Sequence, residues 1–306
     1  MDTPIDYFSN MATPDDVRIP VRADHIAAYL YRPQVSGRDT PCVVMAHGFT
    51  GTRDDGLPGY AVAFRDAGYA VVLFDYRHFG ASSGEPRQML DIARQRDDYR
   101  TVIAWARGLD GVDPDRIVVW GTSFSGGHVL AVAAGDPRIA AVIAQAPFTD
   151  AIATLREIPP RNIPRVLLAA AQDQVGAWRG RPPHMVPAIG APGEVAAMTS
   201  PDAKPGFEAM LGPNTLWRNA FAARLMFRFA FNRPGRRTQG LRMPVLLCVC
   251  DDDVVTPPGP SIQAAHRAPR GELRRYPYGH FDIYHDPKVK ADQLDFLQRV
   301  FDDIPE

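Results

Sequence analysis

Hydrophobic residues along the chain gather in short, almost unbroken runs separated by longer mixed segments. Cys42 to Ala46, Tyr69 to Phe74, Ile117 to Trp120, Ile139 to Ala146 and Val245 to Cys250 are all of this kind, and rich in β-branched types. Runs without polar alternation are what strands covered on both faces require, so they predict central parallel strands. The opening differs. Val17 to Val21 alternates, Arg22-Ala23-Asp24 turns, and His25 to Tyr31 returns, which predicts an antiparallel hairpin, and Gln34 to Asp39 forms a turn-rich break after it. Helix-spaced segments fall between the runs: Tyr60 to Ala67, stopped by Gly68, about Met89 to Arg107, and Val129 to Ala134. Another lies near Ser261 to Ala268, before a last strand at Glu272 to Tyr276. The closing helix presents Leu294, Leu297, Phe301 and Ile304 on one face. Strand and helix alternate, so the fold class is α/β: a mostly parallel central sheet with helices on both faces.

The rhythm stops at Pro147. From Phe148 to Arg242 no buried strand is predicted, prolines are frequent, and two stretches read as helical, Arg165 to Gln174 and Leu216 to Phe231. The charge changes as well. This segment carries 13 Lys and Arg against 6 acids, a net +7, whereas the rest of the chain is net −8. The expected domain organisation is a core of residues 1–147 and 243–306 with a helical insertion, 148–242, over the carboxyl edge of the sheet.

Composition narrows the functional classes. The 306 residues are 45% hydrophobic, enough for a large core, and the formal net charge of −1 offers nothing to attract nucleic acid. The longest apolar runs are too short to span a bilayer. Met1 to Asn10 contains Asp2 and Asp6 and lacks a basic start and an apolar stretch, so no secretory leader is read there. The three cysteines, Cys42, Cys248 and Cys250, lie inside apolar strand runs, where a thiol serves as a small hydrophobe, and a reduced cytoplasmic setting is expected. The partner implied is a small-molecule substrate, with a homodimer left open.

The chemistry is carried by residues just past the strand ends. After Ile117 to Trp120 comes Gly121-Thr122-Ser123-Phe124-Ser125-Gly126-Gly127, then a helix. This is G-x-S-x-G with its third small position shifted to Ser125, a sharp strand-to-helix turn with Ser123 at the apex. His47 and Asp75 also sit just past strand ends, the edge where ligands bind in open parallel sheets. Farther along the chain, Asp251-Asp252-Asp253 closes one strand and His280 comes after another. An alcohol is a weak nucleophile at neutral pH and needs a base beside it, best an imidazole oriented by a carboxylate.

In this order of serine, acid and histidine the chain resembles the α/β-hydrolase superfamily, over roughly two thirds of its length. His47-Gly48-Phe49 is similar to that family's oxyanion loop, and Asp75, Arg77, Gly80, Ser82 and Gly84 to its D-x-R-x-x-G-x-S-x-G loop. The resemblance implies Ser123 as nucleophile, His280 as general base, and Asp253 as the acid, a few residues before Pro257, with Asp252, Asp251 and Asp150 as competitors. It implies an oxyanion hole from the N–H groups of Phe124 and Phe49. Ser125 and His285 are the lesser candidates for nucleophile and base, His128 reads as a packing residue, and His47 as the support of its loop. No metal or organic cofactor is implied. The expected activity is hydrolysis of a carboxylic ester of a small to medium, moderately apolar substrate through an acyl-enzyme. Amidase, peptidase or thioesterase activity uses the same residues, and a non-catalytic binder on this fold is the reading from another class. A dehalogenase would want an aspartate, and a dienelactone hydrolase a cysteine, where Ser123 stands. The arginines of 148–242 are read as surface charges in preference to a basic lining for an anionic substrate.

Overall fold

The computed structural model describes residues 13–34, 40–157 and 162–302. The readings made for Met1 to Asn10, for most of the turn at Gln34 to Asp39 and for Ile304 lie outside these residues. Strands β1 (Asp15–Val21) and β2 (Asp24–Tyr31) form the expected hairpin, turning at Arg22 with φ 55°. The chain then runs through β3 (Thr40–Ala46), α1 (Pro58–Asp66), β4 (Ala70–Phe74), α2 (Ile92–Ala106), β5 (Val112–Thr122), α3 (Phe124–Ala133) and β6 (Ile139–Gln145). The 148–242 segment contributes α4 (Ala151–Arg156), α5 (Ile163–Trp178), β7 (Met185–Val186), α6 (Ala203–Met210), β8 (Phe221–Ala222) and α7 (Met226–Phe229). After it come β9 (Val245–Cys250), α8 (Pro258–Arg267), β10 (Gly271–Tyr276) and α9 (Pro287–Asp302). Helix α2 starts later than its periodicity suggests because Asp91 caps it, accepting hydrogen bonds from the N–H groups of Ala93 and Arg94.

The main sheet has eight strands in the order β1-β2-β4-β3-β5-β6-β9-β10; β2 is antiparallel to both neighbours and every other pair from β4 to β10 is parallel. All five residues of β4 and all six of β9 are buried, which is why those strands carry no polar side chain. Strand β10 lies at an edge, and its Glu272, Leu273 and Arg274 are only half-buried. Helix α9 is tied to the sheet centre by a polar chain in the dry interior: Trp120 Nε1 donates to Gln293 Oε1 at 2.8 Å, and Gln293 Nε2 donates to Gln145 Oε1 at 2.8 Å. Left unpaired, each of these buried groups would cost roughly 1–3 kcal/mol.

Within the 148–242 segment, helix α5 is longer than predicted. Two expectations fail here. The stretch Leu216 to Phe231 is not one helix, and a buried strand, the two-residue β8, is present, paired antiparallel with β7. Backbone groups that a helix would use internally are taken up from elsewhere. Gln88 Nε2 donates to the carbonyls of Arg218 and Ala220, each at 3.1 Å, and the N–H of Ala222 donates to the Gln88 carbonyl at 3.1 Å. Asn219 accepts from the N–H of Ile189 and donates to its carbonyl. Tertiary hydrogen bonds therefore override local helix propensity.

Candidate active site

Ser123 stands between β5 and α3 with φ 55° and ψ −122°, a conformation L-residues seldom adopt. The turn closes only if its neighbours are small. A Cβ on Gly121 would lie 2.4 Å from the Ser125 carbonyl oxygen, so no side chain fits there. The N–H of Ser123 donates to the Gln145 carbonyl and its own carbonyl accepts from Phe148 N–H, both at 2.8 Å, which holds the strained residue from two sides. Its Oγ lies 2.9 Å from His280 Nε2, and His280 Nδ1 lies 2.6 Å from Asp253 Oδ2. With Asp253 ionised, Nδ1 carries the proton and donates to the carboxylate, leaving Nε2 to accept from the serine hydroxyl.

The two partner loops are anchored independently. Asp253 Oδ1 accepts from the N–H groups of Val255 and Thr256, at 2.8 and 2.6 Å, and Thr256 Oγ1 lies 2.8 Å from Asp253 Oδ2 and 3.1 Å from the Ala146 carbonyl. His280 leads a short segment held through its buried Ile283 and Tyr284: Thr122 Oγ1 donates to Tyr284 Oη at 2.7 Å, and Tyr60 Oη donates to the Ile283 carbonyl at 2.8 Å. Ser123, Asp253 and His280 are all buried.

The other candidates are placed elsewhere. Asp251 pairs with Arg275, Asp252 is exposed, and Asp150 caps α4 and binds Arg233. Ser125 is in the first turn of α3, and its Oγ bonds to Tyr99 Oη at 2.6 Å. His128 is buried against Gln95, and His285 is exposed. The three thiols are buried, which pushes those of Cys42 and Cys248 up to about 12 and leaves no cysteine suited to nucleophilic attack.

The His47 to Thr50 loop runs against Ser123. Gly48 makes this possible, since a Cβ there would stand 2.9 Å from Ser123 Cβ. Among the described residues, no carbonyl or side chain takes up the N–H of Phe49 or of Phe124. Beneath the loop, His47 Nδ1 bonds with the Gly48 carbonyl at 2.9 Å, and its Nε2 is 3.8 Å from Asp75. Burial holds His47 down at about 4, so it is neutral. Burial also pushes the Asp75 carboxyl up to about 7, opposed by hydrogen bonds from the N–H groups of Ala81 and Arg53. Asp75 thus ties the backbone at Arg53 to that at Ala81 beneath the loop.

Two cavities meet at Ser123. The larger, about 240 Å³, is walled by Phe124, Phe148, Val166, Val186, Met226, Phe229 and other mainly apolar side chains. Among the described residues no arginine or lysine lines it, and Arg224, Arg228 and Arg233 pair instead with Asp173, Asp91 and Asp150. The smaller, about 30 Å³, is reached past His280, His47 and Gly48. Most residues of the large wall went unrecognised in the sequence, because nothing in a proline-rich segment without periodicity marks which side chain turns inward. Among the described residues, no cluster of His, Cys, Asp and Glu is placed to hold a metal ion, and no helix is long and apolar enough to cross a membrane.

A nucleophile-type elbow at the centre of this sheet, with the acid and imidazole on later strands, is the architecture of the α/β-hydrolase superfamily, to which the chain belongs. Over 290 residues it is 43% identical to the quorum-quenching protein AidA of Acinetobacter baumannii, covering 94% of this chain and 95% of that one. Residues 23–160 match the X-Pro dipeptidyl-peptidase (S15) family. The thiohydrolase aneE of Aspergillus aculeatus is 33% identical over 187 residues, 60% of this chain and 55% of its own length. The α/β-hydrolase GrgF from a Penicillium species superposes with a TM-score of 0.81 at 25% identity, covering 94% of this chain and 99% of that one. Together these support a hydrolase of the esterase-like type.

Proposed function

We propose that the protein cleaves carboxylic esters through a covalent acyl-enzyme, with Ser123, His280 and Asp253 as its working groups. The observation that carries this is the unbroken hydrogen-bond chain from Ser123 Oγ through both ring nitrogens of His280 to Asp253, beside an apolar cavity. Ser123 Oγ attacks the ester carbonyl while His280 Nε2 takes its proton, and the imidazolium is held by Asp253. The Phe49 and Phe124 N–H groups, free of other acceptors and the latter opening α3, donate to the oxygen that becomes negative. Collapse breaks the bond to the alkoxy group, which leaves with the proton from His280. A water then repeats the sequence, releasing the acid and restoring Ser123.

In this reading the 148–242 segment acts as a cap, supplying most of the apolar wall and selecting a moderately apolar acyl group. The likeness to a thiohydrolase favours thioesters as a second substrate class, since the same attack expels a thiolate. The test is labelling by a fluorophosphonate and hydrolysis of simple alkyl esters. Wild-type protein should react in both and Ser123→Ala in neither; equal reaction of the two proteins removes the proposal.

A further inference from the structure

The two cavities at Ser123 differ in size about eightfold and in which partner of Ser123 they face. His280 lines the small cavity and not the large one. On the ester-hydrolase function proposed for Ser123, on which this rests, that asymmetry assigns the two halves of the substrate. His280 must hand its proton to the departing oxygen, so the leaving group has to lie on the His280 side of the scissile bond. The acyl group then lies in the other direction, over Phe124 toward Phe148, Val166 and Phe229 in the large cavity.

Size sets the substrate class. A space of about 30 Å³ exceeds the roughly 10–15 Å³ that one water needs by only a factor of two or three. It suits a methoxy or ethoxy group and, after that group has gone, the water of deacylation. The cavity of about 240 Å³ suits an extended or branched apolar acyl chain. One side chain, Met198, lines both spaces together with Phe49 and Ser123. Its backbone is fixed, with its N–H donating to the Ala188 carbonyl at 2.9 Å and its carbonyl accepting from Gly190 N–H at 3.0 Å. A flexible thioether on a pinned backbone is a partition whose length, not position, sets the boundary. We infer that the enzyme acts on esters of a large apolar acid with a very small alcohol, and that Met198 is the residue restricting the leaving group.

The experiment measures kcat/KM by acid release for alkyl esters whose two halves vary separately: acetyl against octanoyl, and methyl against benzyl. Fluorophosphonate labelling of Ser123 is followed in parallel on every protein. Wild type should favour octanoyl over acetyl, and methyl over benzyl, by at least tenfold each. Met198→Ala should narrow the methyl-to-benzyl preference at least fivefold. Met226→Trp, which fills the large cavity, should cut the octanoyl preference and leave the methyl-to-benzyl ratio in place. If Ser123 is labelled and wild type prefers benzyl over methyl esters, or Met198→Ala leaves the ratio unchanged, the assignment of the cavities is overturned while the hydrolase reading stands. Failure of Ser123 to label overturns both.

Discussion

Replacing Asp253 by Asn tests the geometry most directly, because both oxygens of that carboxylate accept hydrogen bonds. Oδ1 receives two backbone N–H groups and Oδ2 receives His280 Nδ1 and lies beside the Thr256 hydroxyl. An amide has only one acceptor oxygen, so one set must be lost. If the oxygen keeps Val255 and Thr256, the NH2 group faces His280 and donates to Nδ1. The ring must then carry its proton on Nε2, pointing at Ser123 Oγ, and can no longer accept the serine proton. If the amide turns the other way, its NH2 meets two backbone donors and the loop opens. The first arrangement keeps the fold and costs activity: a wrong tautomer in a site of this kind lowers kcat by roughly 10⁴-fold. Stability should fall by about 1–3 kcal/mol, the range for a strained or lost buried hydrogen bond. The assay is ester turnover at neutral pH alongside urea denaturation. Asp251→Asn and Asp252→Asn, at a partly exposed and an exposed position, serve as controls and should keep near-wild-type turnover. Retention of more than a tenth of wild-type kcat by folded Asp253→Asn would refute the reasoning.

Two further perturbations address the loop beside the nucleophile. Gly48→Ala places a methyl 2.9 Å from Ser123 Cβ and 3.3 Å from the Thr122 carbonyl, so the loop must retreat by a few tenths of an ångström. Turnover should drop on the order of 10–10²-fold through misplacement of the Phe49 N–H, with KM little changed; an unaltered kcat would show that this N–H takes no part. His47 is neutral in the fold, its pKa depressed from 6.5 to about 4. The unfolded chain therefore binds more protons between these values, and native stability falls as pH drops from 6.5 through 4, by on the order of 3 kcal/mol in all. Asp75, raised by burial to about 7, contributes in the opposite sense, stability being lost as pH rises through that range. The pH dependence of stability of His47→Asn, compared with wild type, should lack the loss below pH 6.5; the same acid-side loss in both proteins would show that His47 does not titrate as described.

The core was legible because parallel strands buried on both faces leave no room for polar residues. The runs at Val71 to Phe74 and Val245 to Cys250 could hardly be anything else, and the polar residues just beyond them had to lie on one edge. Ser123 announced itself through Gly121 and Gly126, since a turn this sharp excludes side chains nearby. The choice of Asp253 among three neighbouring aspartates rested on likeness; in the structure the N–H groups of Val255 and Thr256 and the Thr256 hydroxyl converge on that carboxylate, a geometry the sequence does not display. The 148–242 segment resisted reading because its conformation is dictated from outside. Gln88, far away in sequence, takes the carbonyls that would have closed a helix near Ala220. Met198 belongs to a set of Met and aromatic residues whose types suit either an acyl pocket or core packing, and in a loop without periodicity nothing marks its place between two cavities.

On the proposed function, the nucleophile Ser123 is separated by 157 residues from its base His280, which follows the strand at the far edge of the sheet. While the polypeptide is still being made, a chain that has not yet reached position 280 holds a hydroxyl at its strained turn with no base beside it. On that function, the reactivity of Ser123 appears only once β10 docks and Tyr284 closes onto Thr122. A growing chain with the proposed function would hold Ser123 without its base until position 280 has been made, by which time the 148–242 segment has already been made ahead of it.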